Sequence, residues 1–563
     1  MPAKWASGGF SARPPGRARH RGQSGKPEPW EPECARKRLS LGWLPSGESR
    51  PCLKGGEFDV YLADQEFNID AVPFQDSIIR IGQNASETAT ADKVAFLIDA
   101  KDYFRRLHQV LRRAKNTIWI VGWDFNPNIR LRPETDETLG GLLRSAVEAN
   151  PQLQVRILIW AMGPIYSGKT LKFFRKMPWS DHPRISLHFD LKHPVRACHH
   201  QKIVCVDDTI TFLGGMDITA RRWDDRQHAV ENDLRVSPEG VPYEPVHDIQ
   251  AMVSGKAARM IGDIARKRWY RATGEARAPL ENGEVDWPLD LPPALEGCRA
   301  AVALTEPWNW SCKGRREAIR LTHDALMSAR RHIYIETQYL ASFNVAKTLA
   351  RRLQEPDGPE VVAIVTRRSH GFLEKIMMGN NRDRLIRRLK RADRFGRLRV
   401  MYPVVSNGKG GEHEVLVHSK LIVVDDHFVR IGSSNLNYRS EGLDTECDLA
   451  LEGVTAEQRL AISHFRNDLL AEHLDAEIGE VAAMIERDDS MIVAIDTLNT
   501  RIRGLRPFIV DVERGETSSI PGTGLIDPRE PFWPLQSLPA QFGAMASWLR
   551  GALSFSSGCR MRK

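Results

Sequence analysis

Two stretches of the chain, HHQKIVCVDD at 199–208 and VHSKLIVVDD at 417–426, place a histidine two residues before a lysine and seven before an aspartate. An imidazole can accept a proton, donate one or attack an electrophile, and a nearby ammonium supplies positive charge. His200 with Lys202, and His418 with Lys420, are therefore candidates for work on a phosphodiester. Its non-bridging oxygens need cationic partners while one group attacks phosphorus and another protonates the departing alcohol. A single copy of so loose a pattern is a weak sign. Two copies that share the apolar run behind the lysine, an Asp-Asp pair and a small-residue turn are poorly explained by chance. This set demands no metal, and no cofactor is expected.

Such a site needs elements that hold the side chains together. Along an extended strand alternate side chains face one way, so each His shares a face with its Lys. The turn behind each strand differs: Gly214-Gly215-Met216-Asp217 in the first copy, Gly432-Ser433-Ser434-Asn435 in the second. An imidazole also needs a partner at its second nitrogen to fix its tautomer. Glu446 lies 28 residues after His418 and seven before Gly453, and the same count back from Gly255 reaches Asp248. The repeat thus pairs each histidine with a carboxylate, Glu446 being the candidate that follows His418.

Residues 95–125 carry an amphipathic helix of period 3.6 running into a short strand from Thr117 to Gly122, and the order returns at 317–340 with a strand from His332 to Glu336. Apolar strands at Val155 to Trp160 and Val361 to Val365 fall at corresponding places. The expected fold is α/β: two pseudo-symmetric α-β-α sandwich halves with mixed sheets and the site at their interface. The expected organisation is a largely disordered basic leader and lead-in over 1–90, a first half over 91–277, a Pro- and acid-rich linker at 278–297, a second half over 298–480 and a C-terminal extension over 481–563.

No apolar run reaches the roughly 18 residues that cross a bilayer, which excludes an integral membrane protein of the helical kind. The net charge of +8 favours anionic partners without separating phospholipid from nucleic acid. Eight cysteines without a C-x-x-C pair indicate neither a zinc site nor a disulfide framework, and Cys205 between two valines reads as buried filler. The first 27 residues are basic but hold no apolar segment of the kind a secretory signal needs. The basic run at 382–399 reads as a solvated helix face, with a grip on lipid head groups as the alternative. Trp223, Trp308, Trp310 and Tyr339 read as core residues before they read as an entrance for acyl chains, and 543–555 has an amphipathic look suited to a membrane surface. His199 and His247, beside the motif residues, read as packing or supporting groups.

The duplicated H-x-K-x4-D with its following GG or GSxN turn resembles the phospholipase D superfamily over about residues 90–480. The resemblance implies that His200 attacks phosphorus to form a phosphohistidine and that His418 protonates the leaving group, with swapped roles as the alternative. It implies that Lys202, Lys420, Ser433 and Asn435 hold phosphate oxygens, with Gly215 and Asp217 at the matching turn, and that Asp207 and Asp425 serve structure. The GGxD turn with Arg222-Trp223-Asp224 and IYIETQY at 333–339 looks like the members that act on glycerophospholipids. The function so implied is hydrolysis to phosphatidic acid and a free head group, with transfer to another alcohol as a side reaction. A cardiolipin synthase-like phosphatidyltransferase, a nuclease and a non-catalytic lipid-binding scaffold are the alternatives. A monomer with peripheral contact to an anionic membrane and no nucleic-acid partner is expected. Its expected place is the cytoplasm or a membrane surface, or outside the cell by a route without a Sec signal.

Overall fold

The computed structural model describes residues 77–531 apart from 164–177, 195, 282, 284, 309–313, 368–371, 407–410, 500–502, 521–522 and 524–526. In the first half the strands Ile185–Asp190, Gln154–Trp160 and Thr117–Gly122 pair in parallel. Ile203–Val206, Ile210–Gly214, Ile249–Ser254 and Glu87–Ile98 then follow antiparallel, in that order across the sheet. The second half repeats the series: Leu398–Ser406, Glu360–Val365 and His332–Thr337 in parallel, then Lys420–Val424, Phe428–Gly432, Glu446–Glu452 and Leu295–Glu306 antiparallel. The halves join where Glu87–Ile98 pairs with Leu295–Glu306, Val94 standing opposite Leu295. The chain is thus α/β with mixed sheets, in two halves of matching strand order.

Alternation puts successive side chains on opposite sides of the sheet. Ile118, Ile120, Val204 and Phe212 face the helices Asp99–Arg113 and Leu139–Ala149, which contribute Tyr103, Phe104, Leu107 and Leu142. Trp119, Val121, Ile203 and Leu213 face the other way, into a core shared with the helices Lys256–Thr273 and Ala456–Leu474. That second core runs through both halves, and Phe96 of the first stacks on Phe465 of the second with centroids 3.8 Å apart.

Three boundaries differ from expectation. Residues 87–90, assigned to the lead-in, start a strand, and Leu295 to Gly297, assigned to the linker, start its partner. Four-residue and three-residue stretches such as ETAT and LEG are too short to show a period of two, and the backbone pairing itself completes them. Residues 481–507, assigned to an extension, add the helix Met491–Leu498 and a strand, Arg503–Pro507, that pairs with Leu398–Ser406. The basic run is solvated in part. Arg387 donates to Asp511 and Glu516 carbonyl oxygens at 2.6 and 2.8 Å, Lys390 to Phe508 O at 2.8 Å and Arg391 to Val512 O at 2.7 Å, while Arg391 and Arg394 are exposed. Three of its cations are thus engaged by the chain's own carbonyls. The tail at 543–555 and Trp310 lie outside the described residues.

Candidate active site

His200 and His418 stand just ahead of the strands Ile203–Val206 and Lys420–Val424. Each is tied through its backbone to the other half. His200 N donates to Thr445 O at 2.9 Å, and Thr445 N to Cys198 O at 2.9 Å. His418 N donates to His247 O at 2.8 Å, continuing a parallel ribbon of Val246–His247 with Leu416–Val417. The next residue after Thr445 is Glu446, and the next after His247 is Asp248. The same ladder that anchors each histidine therefore delivers a carboxylate from the opposite half.

The pairing is crossed. His200 Nδ1 lies 2.9 Å from Glu446 Oε2, and His418 Nδ1 lies 2.7 Å from Asp248 Oδ2. This corrects the expectation that Glu446 serves His418: the pairing lies between halves, where sequence distance says nothing. Glu446 also accepts from Ser433 Oγ at 2.6 Å and Ser440 Oγ at 2.7 Å. Each hydroxyl in turn accepts a backbone N–H, from Cys447 at 3.0 Å and Asn435 at 3.1 Å, so its own proton is directed at Glu446. With Glu446 an acceptor at both oxygens, the proton in the bond to His200 belongs on Nδ1, which leaves the lone pair on Nε2. Burial and the nearby Asp444 raise the Glu446 pKa well above the ordinary range, and the two hydroxyls work against that rise. Asp248 has no such hydroxyls; its other oxygen accepts from Ile249 N at 2.8 Å.

The lysines complete a cationic site. Lys202 Nζ is 3.0 Å from Asp217 Oδ2, while Lys420 Nζ donates to His418 O at 2.5 Å and has Gln338 Oε1 at 3.5 Å. Burial is the largest influence on Lys420, and with Lys202 and Arg222 nearby it brings the pKa down to about 7 despite Asp248. Burial followed by Lys202 and Lys420 pulls His200 well below the ordinary range, and burial followed by Lys420 and Arg222 does the same to His418. The motif groups of both halves thus feel one another's charge. A bound phosphate would oppose these shifts, and the arrangement can supply a nucleophilic nitrogen, a second imidazole for proton transfer and cationic partners for oxygen.

The family model described as Phospholipase D matches residues 110–319, and that described as Cardiolipin synthase, PLD-like domain, matches 323–469. The two matches fall on the two halves. The chain belongs to the phospholipase D superfamily. It is similar to Phospholipase D A of Dictyostelium discoideum, 25% identical over 422 residues that cover 63% of this chain and 32% of that protein. Similarity to Phospholipase D alpha 4 of Arabidopsis thaliana is 24% over 545 residues, 74% of this chain and 68% of the relative. Phospholipase D1 of Saccharomyces cerevisiae is 24% identical over 63% of this chain and 26% of its own length. The chain spans about a third or less of the Dictyostelium and yeast relatives. Among solved structures it is similar to phosphatidylserine synthase of Haemophilus influenzae, with 14% identity, a TM-score of 0.47 and coverage of 72% of this chain and 96% of the other.

Within this superfamily site the expected turn residues act on their neighbours. Ser433 is committed to Glu446 and Asp217 to Lys202, so neither side chain is placed to hold a phosphate oxygen as expected. Gly215 is required by close approach, since a Cβ there would stand 2.4 Å from Asp248 Oδ1 and 2.9 Å from His418 O. Asn435 donates its backbone N–H to Ser440 Oγ, and its side-chain Oδ1 is buried without a hydrogen-bond partner. Asp207 accepts from the backbone N–H groups of Lys115, Asn116 and Thr117 at 2.7, 2.8 and 2.6 Å. Asp425 accepts from those of Arg330, Arg331 and His332 at 3.0, 2.8 and 2.8 Å. Both aspartates clamp the turn that leads into a central strand. Trp223 is buried, Trp308 is exposed, and Cys198, Cys205, Cys298 and Cys447 are buried free thiols. His199 is wholly buried beside Asp190, and His247 lies in a buried charged cluster. Sequence reasoning missed Ser440, Gln338 and the field of Arg222. Gln338 directly follows the strand His332–Thr337, which pairs with the motif strand, and that position could have flagged it.

Proposed function

We propose that this chain is a phospholipase D-type phosphodiesterase that cleaves glycerophospholipids on the head-group side. The observation that carries the reading is the crossed pair of imidazole–carboxylate bonds, His200 with Glu446 and His418 with Asp248, beside two lysines. His200 Nε2 attacks phosphorus, and the bond from phosphorus to the head-group oxygen breaks as His418 delivers a proton to that oxygen. Water then attacks the phosphohistidine, giving its proton to His418, and the phosphorus–nitrogen bond breaks to return His200 and release phosphatidic acid. Lys202 and Lys420 offset the charge that builds on the non-bridging oxygens, a contribution of the kind that dominates many enzymatic rate accelerations. Burial, followed by Lys420 and Arg222, disfavours a charged His418, and the negative charge of the bound diester opposes that shift. Among the described residues no helix is long and apolar enough to cross a membrane. Contact with an anionic bilayer is proposed as peripheral, in keeping with the net charge of +8, and one chain carries both motifs.

A second reading has its own support: the model matching the second half is described by cardiolipin synthase. In that reading an alcohol-bearing lipid takes the place of water. The deciding experiment incubates the full chain with phosphatidylcholine, phosphatidylethanolamine or phosphatidylglycerol vesicles and identifies the products. Free choline or ethanolamine with phosphatidic acid supports the hydrolase. Glycerol with cardiolipin from phosphatidylglycerol alone supports the transferase, and inert lipids with cleavage of single-stranded DNA would overturn both.

A further inference from the structure

Behind the His418–Asp248 pair, four fully buried side chains from separate parts of the chain converge. Asp99 opens the helix Asp99–Arg113, His228 lies on a loop, His247 precedes Asp248, and Glu472 is near the end of the helix Ala456–Leu474. One donor atom from each lies within 4.8 Å of all the others. His228 Nε2 is 3.4 Å from Asp99 Oδ2 and 3.2 Å from Glu472 Oε1, while His247 Nδ1 is 3.0 Å from Asp99 Oδ1 and 3.0 Å from Glu472 Oε1. Around a tetrahedral zinc ion with bonds of about 2.0–2.1 Å, neighbouring ligand atoms stand about 3.3 Å apart. The remaining nitrogen of each histidine meets a carboxylate, His228 Nδ1 with Asp224 at 3.0 Å and His247 Nε2 with Glu336 at 2.9 Å. That outer pairing is the usual way a metal-bound imidazole is oriented.

We infer that Asp99, His228, His247 and Glu472 form a closed binding site for one divalent metal ion of zinc-like preference, which locks the segment carrying Asp248 and the base of His418 in place. Two atoms aimed into the cluster, His247 Nδ1 and Asp99 Oδ2, are buried without an aligned hydrogen-bond partner. Their nearest polar atoms are the other ligands of the cluster, at 3.0 Å from His247 Nδ1 and 3.4 Å from Asp99 Oδ2, spacings that a central ion accommodates. Asp99 also adopts a left-handed backbone, φ 63°, which turns the strand into the helix with its carboxylate inward. Two carboxylates offset the charge of a divalent ion bound by two neutral imidazoles, and Arg226 Nε holds the outer oxygen of Glu472, Oε2, which leaves Oε1 for the ion. A separate trio of Asp190, His193 and His199 is a weaker candidate, because Arg268 Nε already occupies Asp190 Oδ2 at 2.6 Å. Four protein ligands leave no open position, so the ion is structural, lies outside the phosphoryl chemistry and exchanges slowly with chelators.

The test is elemental analysis of the full chain, produced in zinc-supplemented medium and purified without a metal-affinity step. About one equivalent of zinc per chain is expected, together with the visible d–d absorption of a tetrahedral ion in protein produced with cobalt(II). Glu472→Gln and His228→Gln are expected to lose most of the metal. Should either variant fail to fold, the native protein still decides. Less than about 0.1 equivalent of any divalent metal, with a melting temperature unmoved by added zinc, would overturn the inference and leave the cluster balanced by protons.

Discussion

The halves share a strand order but solve the same chemical problem differently. The first gives its lysine a counter-charge, Lys202 to Asp217 at 3.0 Å, and leaves its turn bare at Gly215. The second has Asn435 where the first has Asp217, so Lys420 has no matching carboxylate at that position, and it fills the bare place with Ser433, which donates to Glu446. The longer Glu446 gathers two hydroxyls; the shorter Asp248 needs the space that a glycine leaves. A duplicated fold has thus become two unequal imidazoles, one bound to a carboxylate rich in hydrogen bonds and one beside a lysine whose charge is easily lost.

The sharpest way to break this comparison is to remove each imidazole. His200→Ala and His418→Ala should each lower turnover of phosphatidylcholine by at least about 10⁴-fold. With a p-nitrophenyl phosphodiester, whose leaving group needs no acid, His418→Ala should still give one stoichiometric burst of nitrophenol, whereas His200→Ala should give none. A burst from His200→Ala alone would exchange the two roles. Next in size, Glu446→Gln and Asp248→Asn should each cost roughly 10²- to 10³-fold in kcat, because the imidazole loses the acceptor that fixes its tautomer. Circular dichroism should show the fold retained, and a cost confined to one variant would mean that only one histidine depends on its cross-half partner.

Lys420 provides a pH test. Burial, with Lys202 and Arg222, brings its pKa down to about 7, so kcat/KM is expected to fall on the alkaline side as that charge is lost. Asp217→Asn removes the carboxylate that holds Lys202 at 3.0 Å, so a several-fold rise in KM is expected, while an unchanged KM would show that Asp217 does not position Lys202. Smallest in activity are Asp207→Ala and Asp425→Ala. Each strips the acceptor from three backbone N–H groups, so a loss of about 3 kcal/mol in unfolding free energy is expected, with little change in kcat per folded molecule. A large drop in kcat without lost stability would give these aspartates a role in the chemistry.

Much of this was legible from residue order. The strands Thr117–Gly122 and Glu360–Val365 announce themselves because a strand buried on both faces must be a continuous apolar run. The helix Asp99–Arg113 does so through its single apolar stripe, closed by Arg112 and Arg113. The two motifs, their histidines and lysines, and the clamping aspartates follow from repetition, because each lies within one short stretch of chain. Counting from the glycines even found both carboxylates. Their crossing was beyond such reading, since His200 and Glu446 are 246 residues apart and meet only through the bridge between His199 and Thr445. The same holds for the strand at 87–90, completed by its pairing with 299–302, and for Arg384, Arg387 and Arg391, engaged by carbonyls from residues 511–518. Local pattern specifies what a segment can bury and which groups it can present, whereas the partner of a buried charge depends on which distant backbone lies alongside it.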